Sequence, residues 1–575
     1  MAKHSTGAFT QFLCRSFGES TTFRRFLAVC CLFTGSWSGT AEAQTKTARK
    51  IIVPAVNPKL IRPLSSVQSR SIVSAAPIPL TSAFQLSSRP TASKTIYLDF
   101  TGHVTRGTFW NDPTVTSIVT APFSTDSDPA FSNADLTAVI EVWQRVAECY
   151  APFDVNVTTL EPPTSDLINA GGTDFRWGMR VLIGTSTPSP APGAGGVAFI
   201  GSFTWNNDTP CFVFPASLAL TAKFIADASV HEVGHTLGLV HDGRFTPAEA
   251  YYQGHGTGPT SWAPHMGVGY YVNFVQWSKG EYTSANNQED DLDIITTQNG
   301  FTYRPDDYGN STLAASTIQG VRGTGTTVNV FNVNQSGIIE RRTDTDWFKL
   351  VVDSGKINIS AAGAPANTML DIQMDLYSKT GSIVASSNPA DLLTATISQN
   401  ISAGTYYLKI DGVGKGDPLL TGYTDYSSLG QYTLSGTYPA PPIYPPSKVI
   451  ATYNLATKTL NLTGDALANT MTVRLEAGSL RVEGAKGTSI NNASFFAVPH
   501  TGKLIFNADL GSGNDAISVI GIDSSSTNLT LGVGDDLASI TLSTIGVLTI
   551  DGGAGTDTVT LTTNTIGTFN KLNLP

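Results

Sequence analysis

Two histidines four residues apart, with a glutamate directly after the first, form the chemically richest stretch of this sequence: His231, Glu232 and His235. On a helix, positions i and i+4 project from one face, and two imidazoles so placed can share one Zn²⁺. A third histidine, His241, follows six residues later. It lies too far along a straight helix to join the pair. Gly238 between them supplies a left-handed helix end, from which the chain turns back and returns His241 to the metal. Three imidazoles leave a fourth position for water, which is the mark of a catalytic rather than a structural zinc. Zinc brings the acidity of that water near neutrality, and Glu232 stands where it can take the proton and pass it to a leaving amine. The chemistry expected is hydrolysis of a peptide bond.

The elements that must hold this constellation are legible nearby. Leu136, Val139, Ile140, Trp143, Val146 and Ala147 recur at helical spacing, which predicts an amphipathic helix. It runs on into Phe153, Val155 and Val157, which alternate as in a half-buried strand. Strands are also expected at Ile96–Phe100, Met179–Ile183 and Val197–Phe203, and a second helix from near Leu220 to Leu237 carries His231, Glu232 and His235. Ordered structure is expected to begin at Ile96. The two helices and their strands predict an α/β domain ending near Phe301.

Composition frames the remainder. Only 14% of the 575 residues are charged, with 54 Gly and 31 Pro, and the formal net charge is −10. Without Lys/Arg runs, this balance argues against nucleic-acid binding. No apolar run reaches the length of a membrane span. At the N-terminus, Arg24 and Arg25 precede the apolar run Phe26–Phe33, and Ala41-Glu42-Ala43 fits a small-x-small cleavage site. This reads as a secretory signal over residues 1–43. Its removal leaves two cysteines, Cys149 and Cys211. In an exported protein an even pair suggests a disulfide, with two buried thiols as the alternative.

Residues 44–92, rich in Ser, Pro and Ala, read as a propeptide or flexible leader. The α/β domain spans 93–310. From 311 to 437 the pattern turns to alternating strands and predicts a β-sandwich. A Pro-rich linker at 438–447 leads to a last β region, 448–575. There Asp515, Asp536 and Asp557 close three Gly/Asp turns 21 residues apart. A fixed period with strand-like filler predicts a parallel β-solenoid with one coil per repeat.

The run from His231 through His241 to Asp242 resembles the extended signature of metzincin metallopeptidases, and the aspartate after the third histidine resembles the adamalysin/reprolysin branch. That resemblance implies a secreted zinc metalloendopeptidase acting on protein or peptide substrates, with His231, His235 and His241 as ligands and Glu232 as general base. It also implies that Met266 forms the methionine turn beneath the metal. Gly196, Val197 and Ala198 then form the edge strand on which an extended substrate pairs. In astacin- and serralysin-like members a tyrosine two residues past that methionine assists at the metal; here the position is Val268, with Tyr270 and Tyr271 further on. The leader has no cysteine for a cysteine switch. His255 and His265 are candidates for extra ligands, against a reading as ordinary loop histidines.

Residues 311–437 resemble the bacterial pre-peptidase C-terminal domain, through Asp344-Thr345-Asp346-Trp347-Phe348 and Ala403-Gly404-Thr405-Tyr406-Tyr407 among other stretches. The Gly/Asp turns resemble haemolysin-type calcium-binding repeats, which would make Asp515, Asp536 and Asp557 ligands for Ca²⁺; purely structural turns are the alternative. The C-terminal β regions could also attach the protein to a surface or matrix. A competing reading of the whole is an extracellular adhesion or matrix-binding protein with a non-catalytic metal domain. Glu232 separates the two, because a scaffold has no need of a carboxylate beside a zinc water.

Overall fold

The computed structural model describes residues 48–61, 78–441 and 444–574. The expected export signal lies outside the described residues, as does 62–77 of the leader. The chain is multidomain and rich in β structure, with several sheets and, among the described residues, three α-helices. No described helix is long and apolar enough to cross a membrane.

In chain order the first part carries β1 (Lys50–Pro54), β2 (Lys94–Asp99), β3 (His103–Thr105), β4 (Ile118–Thr120), α1 (Asn133–Cys149), β5 (Asn156–Thr158) and β6 (Trp177–Ile183). It continues with β7 (Ser186–Thr187), β8 (Ala194–Phe199), β9 (Cys211–Val213), α2 (Ala222–Thr236), β10 (Trp262–Pro264), β11 (Phe274–Gln276) and α3 (Asp291–Gln298). Six strands form one sheet in the order β1-β8-β9-β6-β2-β5. The pairs β9-β6, β6-β2 and β2-β5 are parallel, whereas β8 pairs antiparallel with both of its neighbours, β9 and β1.

Both expected helices are present. In α1 the Ser132 side chain accepts from the Asp135 N–H while the Asp135 carboxylate accepts from Ser132, a reciprocal cap that fixes the start. Val139, Ile140, Val146 and Ala147 are buried as their spacing predicts. α2 is buried on nearly all sides. Such a helix needs an enclosing fold, and α1 and the sheet provide it.

Four expectations need correction. Order does not begin at Ile96, because β1 of the leader pairs with β8. Five residues flanked by Ser- and Pro-rich chain carry too short a pattern to be read alone, and the ladder with β8 supplies what the pattern lacks. The strand near Phe153 is only Asn156–Thr158, and β8 stops at Phe199 because Gly201, at φ +72°, leads into a 3₁₀ turn. Lastly, Cys149 and Cys211 are separate buried thiols, not a disulfide. Cys149 closes α1 with its Sγ accepting from Asn367 Nδ2 at 3.3 Å, whereas Cys211 opens β9 within the sheet. Parity of count carried no information about their placement.

Two five-stranded antiparallel-dominated sheets follow, one centred on Thr345–Val352 and Gly404–Gly412, the other on Val330–Ile339 and Gly430–Pro439. Phe348 and Leu350 from the first and Ile357 and Ile359 from the second share one buried core, which is continuous with that of the sheet and helices before it. Across that junction Glu148 of α1 accepts from the Gln431 N–H at 3.0 Å and from its Nε2 at 2.7 Å.

The last part has its own core. Asp523–Thr530, Thr544–Asp551 and Thr565–Leu572 pair in parallel, and so do Ala516–Ile520, Leu537–Thr541 and Thr558–Thr562. The 21-residue sequence period is thus the step from one strand to its neighbour. Glycine is required at the turns: at Gly532, where φ is +110°, a Cβ would strike the Gly511 carbonyl of the preceding coil.

Asp515, Asp536 and Asp557 do line one face. Asp515 Oδ1 accepts from the Asn469 N–H at 2.6 Å, Asp536 from Asp515 at 2.7 Å and Asp557 from Asp536 at 3.0 Å. Burial pushes Asp515 up to about 7 and raises Asp536 as well. A carboxyl whose folded pKa exceeds its unfolded value holds extra protons in the folded state, so stability falls as pH rises between the two. The C-terminal part is therefore expected to melt at a higher temperature at about pH 5 than at about pH 8, and Asp515→Asn should shrink the difference. Calorimetry checks this; a pH response unaltered by the substitution would contradict it.

Candidate metal centre

The helix α2 delivers His231, Glu232 and His235, and Gly238 at φ +112° turns the chain just past its end. The Gly238 N–H bonds to the His235 carbonyl and the Leu239 N–H to the Gly234 carbonyl, at 2.9 and 3.1 Å, so the last carbonyls of the helix are satisfied. The chain then brings His241 back. Ring centroids of the three histidines lie 4.6, 4.8 and 5.3 Å apart.

Hydrogen bonds fix which nitrogens face the centre. His231 Nδ1 lies 2.9 Å from the His265 carbonyl and His235 Nδ1 lies 2.8 Å from the Leu239 carbonyl. A carbonyl can only accept, so each Nδ1 carries the proton and each Nε2 presents a lone pair. Those two Nε2 atoms are 3.0 Å apart. His241 Nε2 is buried without a partner. Two acceptor nitrogens at that distance repel unless a cation lies between them, and the arrangement therefore fits a metal ion. Burial, reinforced by the neighbouring histidines, holds His231 well below the ordinary imidazole range. Burial likewise takes His235 down to about 3 and His241 to about 4. All three are neutral donors at physiological pH, as metal ligation requires.

Glu232 is fully buried on the same helix. Burial raises its carboxyl well above the ordinary range, with the Val53 N–H acting in the opposite direction. Its Oε1 accepts from that N–H at 3.0 Å, and its Oε2 has no partner. Gly196 makes room for it, since a Cβ there would sit 2.7 Å from both Cγ and Oε1 of Glu232.

Met266 is completely buried against Gly234 of α2. A Cβ on Gly234 would lie 2.5 Å from its Sδ, so the glycine inside the helix is what lets the methionine approach. The Asp242 N–H bonds to the Met266 carbonyl at 2.9 Å, which ties the returning chain to this turn. Asp242 itself is buried and its carboxyl is pushed up to about 8, first by burial and then by Glu289.

The candidates for additional ligation fall away. His255 lies between the Tyr252 hydroxyl and the Gly422 carbonyl, 2.8 and 2.6 Å from them. His265 contributes its carbonyl to His231, while its ring packs on Trp277 and beside Met369 Sδ. Neither belongs to a group of converging metal donors among the described residues.

Gly196, Val197 and Ala198 are not at the edge of the sheet in the structure: they pair with the chain's own β1, which takes the edge position beside β8. Sequence reasoning also missed Tyr251. Its hydroxyl donates to the Ile52 carbonyl at 2.8 Å and its ring lies 4.4 Å from that of His241. It stands ten residues past the third histidine in an irregular loop, with no periodic signal to mark it. Tyr270 and Tyr271 hold the leader further along, through Pro54 and Asn57.

A second donor set emerges only in three dimensions. Asp306 converges with Asp307 and Asp346, and also with Glu340 and Asp344, the donor oxygens within each set lying within 4.8 Å of one another. Glu340 Oε2, Asp344 Oδ1 and Asp346 Oδ1 are buried without partners. Burial raises Glu340, and pushes Asp346 up to about 8. An all-oxygen set of this kind suits a hard cation such as Ca²⁺. Asp515, Asp536 and Asp557 are not gathered in this way; each is used as an acceptor for the preceding coil.

Compared with known proteins, the chain matches no family model and no curated protein. Among solved structures it is similar to the pre-peptidase C-terminal domain of a collagenase from Bacillus anthracis, at 19% identity over 18% of this chain and 88% of that one, with a TM-score of 0.15. At that score the site must be read from its own residues.

Proposed function

We propose that the protein is an exported zinc-dependent endopeptidase with a metzincin-like α/β catalytic domain. The observation that carries the reading is a single arrangement: three neutral imidazoles converge, a buried carboxylate lies beside them, and an extended peptide crosses both. His231, His235 and His241 would hold the zinc, which when bound supplies an acidified water and an electrophile for a carbonyl oxygen. The chain's own residues do the rest. Glu232 accepts the water proton and delivers it to the leaving nitrogen. Tyr251 donates to the carbonyl oxygen where negative charge develops. The edge of β8 aligns the peptide, and the buried surroundings exclude bulk water.

In this reading the two sheets over 311–437 form an accessory pre-peptidase C-terminal-like sandwich. The parallel coils of 448–575 form a β-solenoid that positions the enzyme outside the cell. Calcium is assigned to the carboxylates between Asp306 and Asp346, and the repeat aspartates are assigned a structural role.

The isolated full chain is expected to contain about one zinc and to cleave an unfolded protein. Chelation should stop cleavage and added zinc restore it, with metal content measured in parallel by mass spectrometry. Undiminished cleavage by the zinc-free chain would overturn the proposal.

A further inference from the structure

The leader strand β1 meets the centre in a way that simple edge pairing does not require. Its register on β8 is antiparallel, with Ile51 opposite Ala198, Ile52 opposite Val197 and Val53 opposite Gly196. The Ile52 carbonyl and the Val53 N–H are the two ends of one peptide group. Tyr251 donates to that carbonyl at 2.8 Å, and the Glu232 carboxylate accepts from that N–H at 3.0 Å. The Ile52 carbonyl also lies at the His241 ring. One peptide bond is therefore straddled by the carboxylate on one edge and by the histidine and tyrosine on the other. No other peptide group of β1 is held from both sides by these residues in this way.

The segment is anchored beyond that bond. Arg49 accepts from the Ile200 N–H at 3.1 Å, and the Val56 N–H donates to Ser217 at 3.0 Å. Lys50 Nζ reaches the Pro190 carbonyl at 2.7 Å. Val53 is 1% exposed, so the residue after the straddled bond fills an enclosed apolar place, while Ile52 before it is 39% exposed. Gly195 and Gly196 keep β8 flat enough for this fit. A Cβ on Gly195 would meet the Pro54 carbonyl at 2.6 Å.

We infer that residues 50–54 are a built-in substrate: they fill the peptide groove of the folded chain, and the Ile52–Val53 bond is the one placed for hydrolysis by the protein itself. The inference rests on the zinc-peptidase reading. One water is consumed: its OH joins the Ile52 carbonyl carbon, the C–N bond breaks, and its remaining proton passes through Glu232 to the Val53 nitrogen. The products are a carboxylate at Ile52 and an amine at Val53, with no change of oxidation state. Cleavage frees the groove on the Ile52 side. The preferred substrate class follows from the same fit: an extended peptide with a branched aliphatic residue immediately after the cut bond. No cysteine is involved in this blockade, in keeping with its absence from the leader.

The test uses the zinc-loaded full chain, with intact mass and N-terminal sequencing followed over time. The wild-type chain is expected to acquire a new N-terminus at Val53 at a rate independent of protein concentration, and Glu232→Ala to remain uncut. Hydrolysis of an added unfolded protein should begin with a lag that matches this cut. Val53→Asp, whose charge cannot enter the apolar place, should remove the lag and raise the initial rate about tenfold. A chain that hydrolyses the added protein without a lag while staying intact between residues 48 and 61 would overturn the inference and leave the peptidase reading standing. A first cut at another bond, or the same cut in Glu232→Ala, would also overturn it. A chain with no zinc and no hydrolysis of added protein would instead remove the peptidase reading, and this inference with it.

Discussion

Replacing Glu232 by alanine is expected to leave about one zinc per chain while lowering kcat/KM for peptide hydrolysis about 10²–10⁴-fold. The two effects separate because different bonds serve them. The ligand histidines on α2 are oriented by the His265 and Leu239 carbonyls, neither of which involves Glu232. The carboxylate spends one oxygen on the Val53 N–H and leaves the other buried and unpaired. Its removal costs the fold one buried acceptor, a loss of about 1–3 kcal/mol at most, against which the melting temperature is the control. Both chains should be assayed after the same limited proteolysis, so that the state of the leader strand is matched. Zinc content, melting temperature and kcat/KM together give the result. Retained hydrolysis in a zinc-loaded Glu232→Ala chain would sink the assignment of Glu232 as general base.

What could be read without coordinates divides along physical lines. The pairing of His231 with His235 was legible because helix geometry converts a spacing of four into proximity, and Gly238 because few residues other than glycine adopt φ +112° cheaply. The 21-residue register of the C-terminal strands was legible for the same reason, since a repeat in sequence becomes a translation in space. Tyr251 was not legible, because it reaches His241 from an irregular loop whose path is set by tertiary packing. Nor was β1, whose five residues gain their order from an edge far along the chain. The acidic cluster was half visible: Asp344 and Asp346 stood out as a motif, but their convergence with Asp306 depends on how the second sheet pair docks after the last helix. The thiols show the converse. Counting cysteines speaks to compartment, whereas pairing them requires knowing where α1 ends and β9 begins.

Tyr251→Phe is the second substitution expected to act strongly, because it removes one hydroxyl and nothing else. That hydroxyl donates to the Ile52 carbonyl at 2.8 Å, from a ring packed 4.4 Å from His241. Burial, and then the charge of Glu232, raise the phenol above its ordinary pKa. It therefore stays protonated across the neutral range and remains a donor. A donor aimed at an oxygen that gains negative charge during attack stabilises the transition state more than the bound peptide. Loss of one such donor lowers kcat about 10²–10³-fold, equivalent to about 2.7–4 kcal/mol. KM should change little, since a ground-state carbonyl loses only an ordinary hydrogen bond. Zinc content should be unchanged, because Tyr251 supplies no ligand. If the tyrosine served only to seat the leader strand, the substitution would shorten the lag and leave kcat after cleavage untouched. A split between kcat and KM measured on the cleaved enzyme therefore decides whether Tyr251 acts on the reacting peptide or merely holds β1 in place.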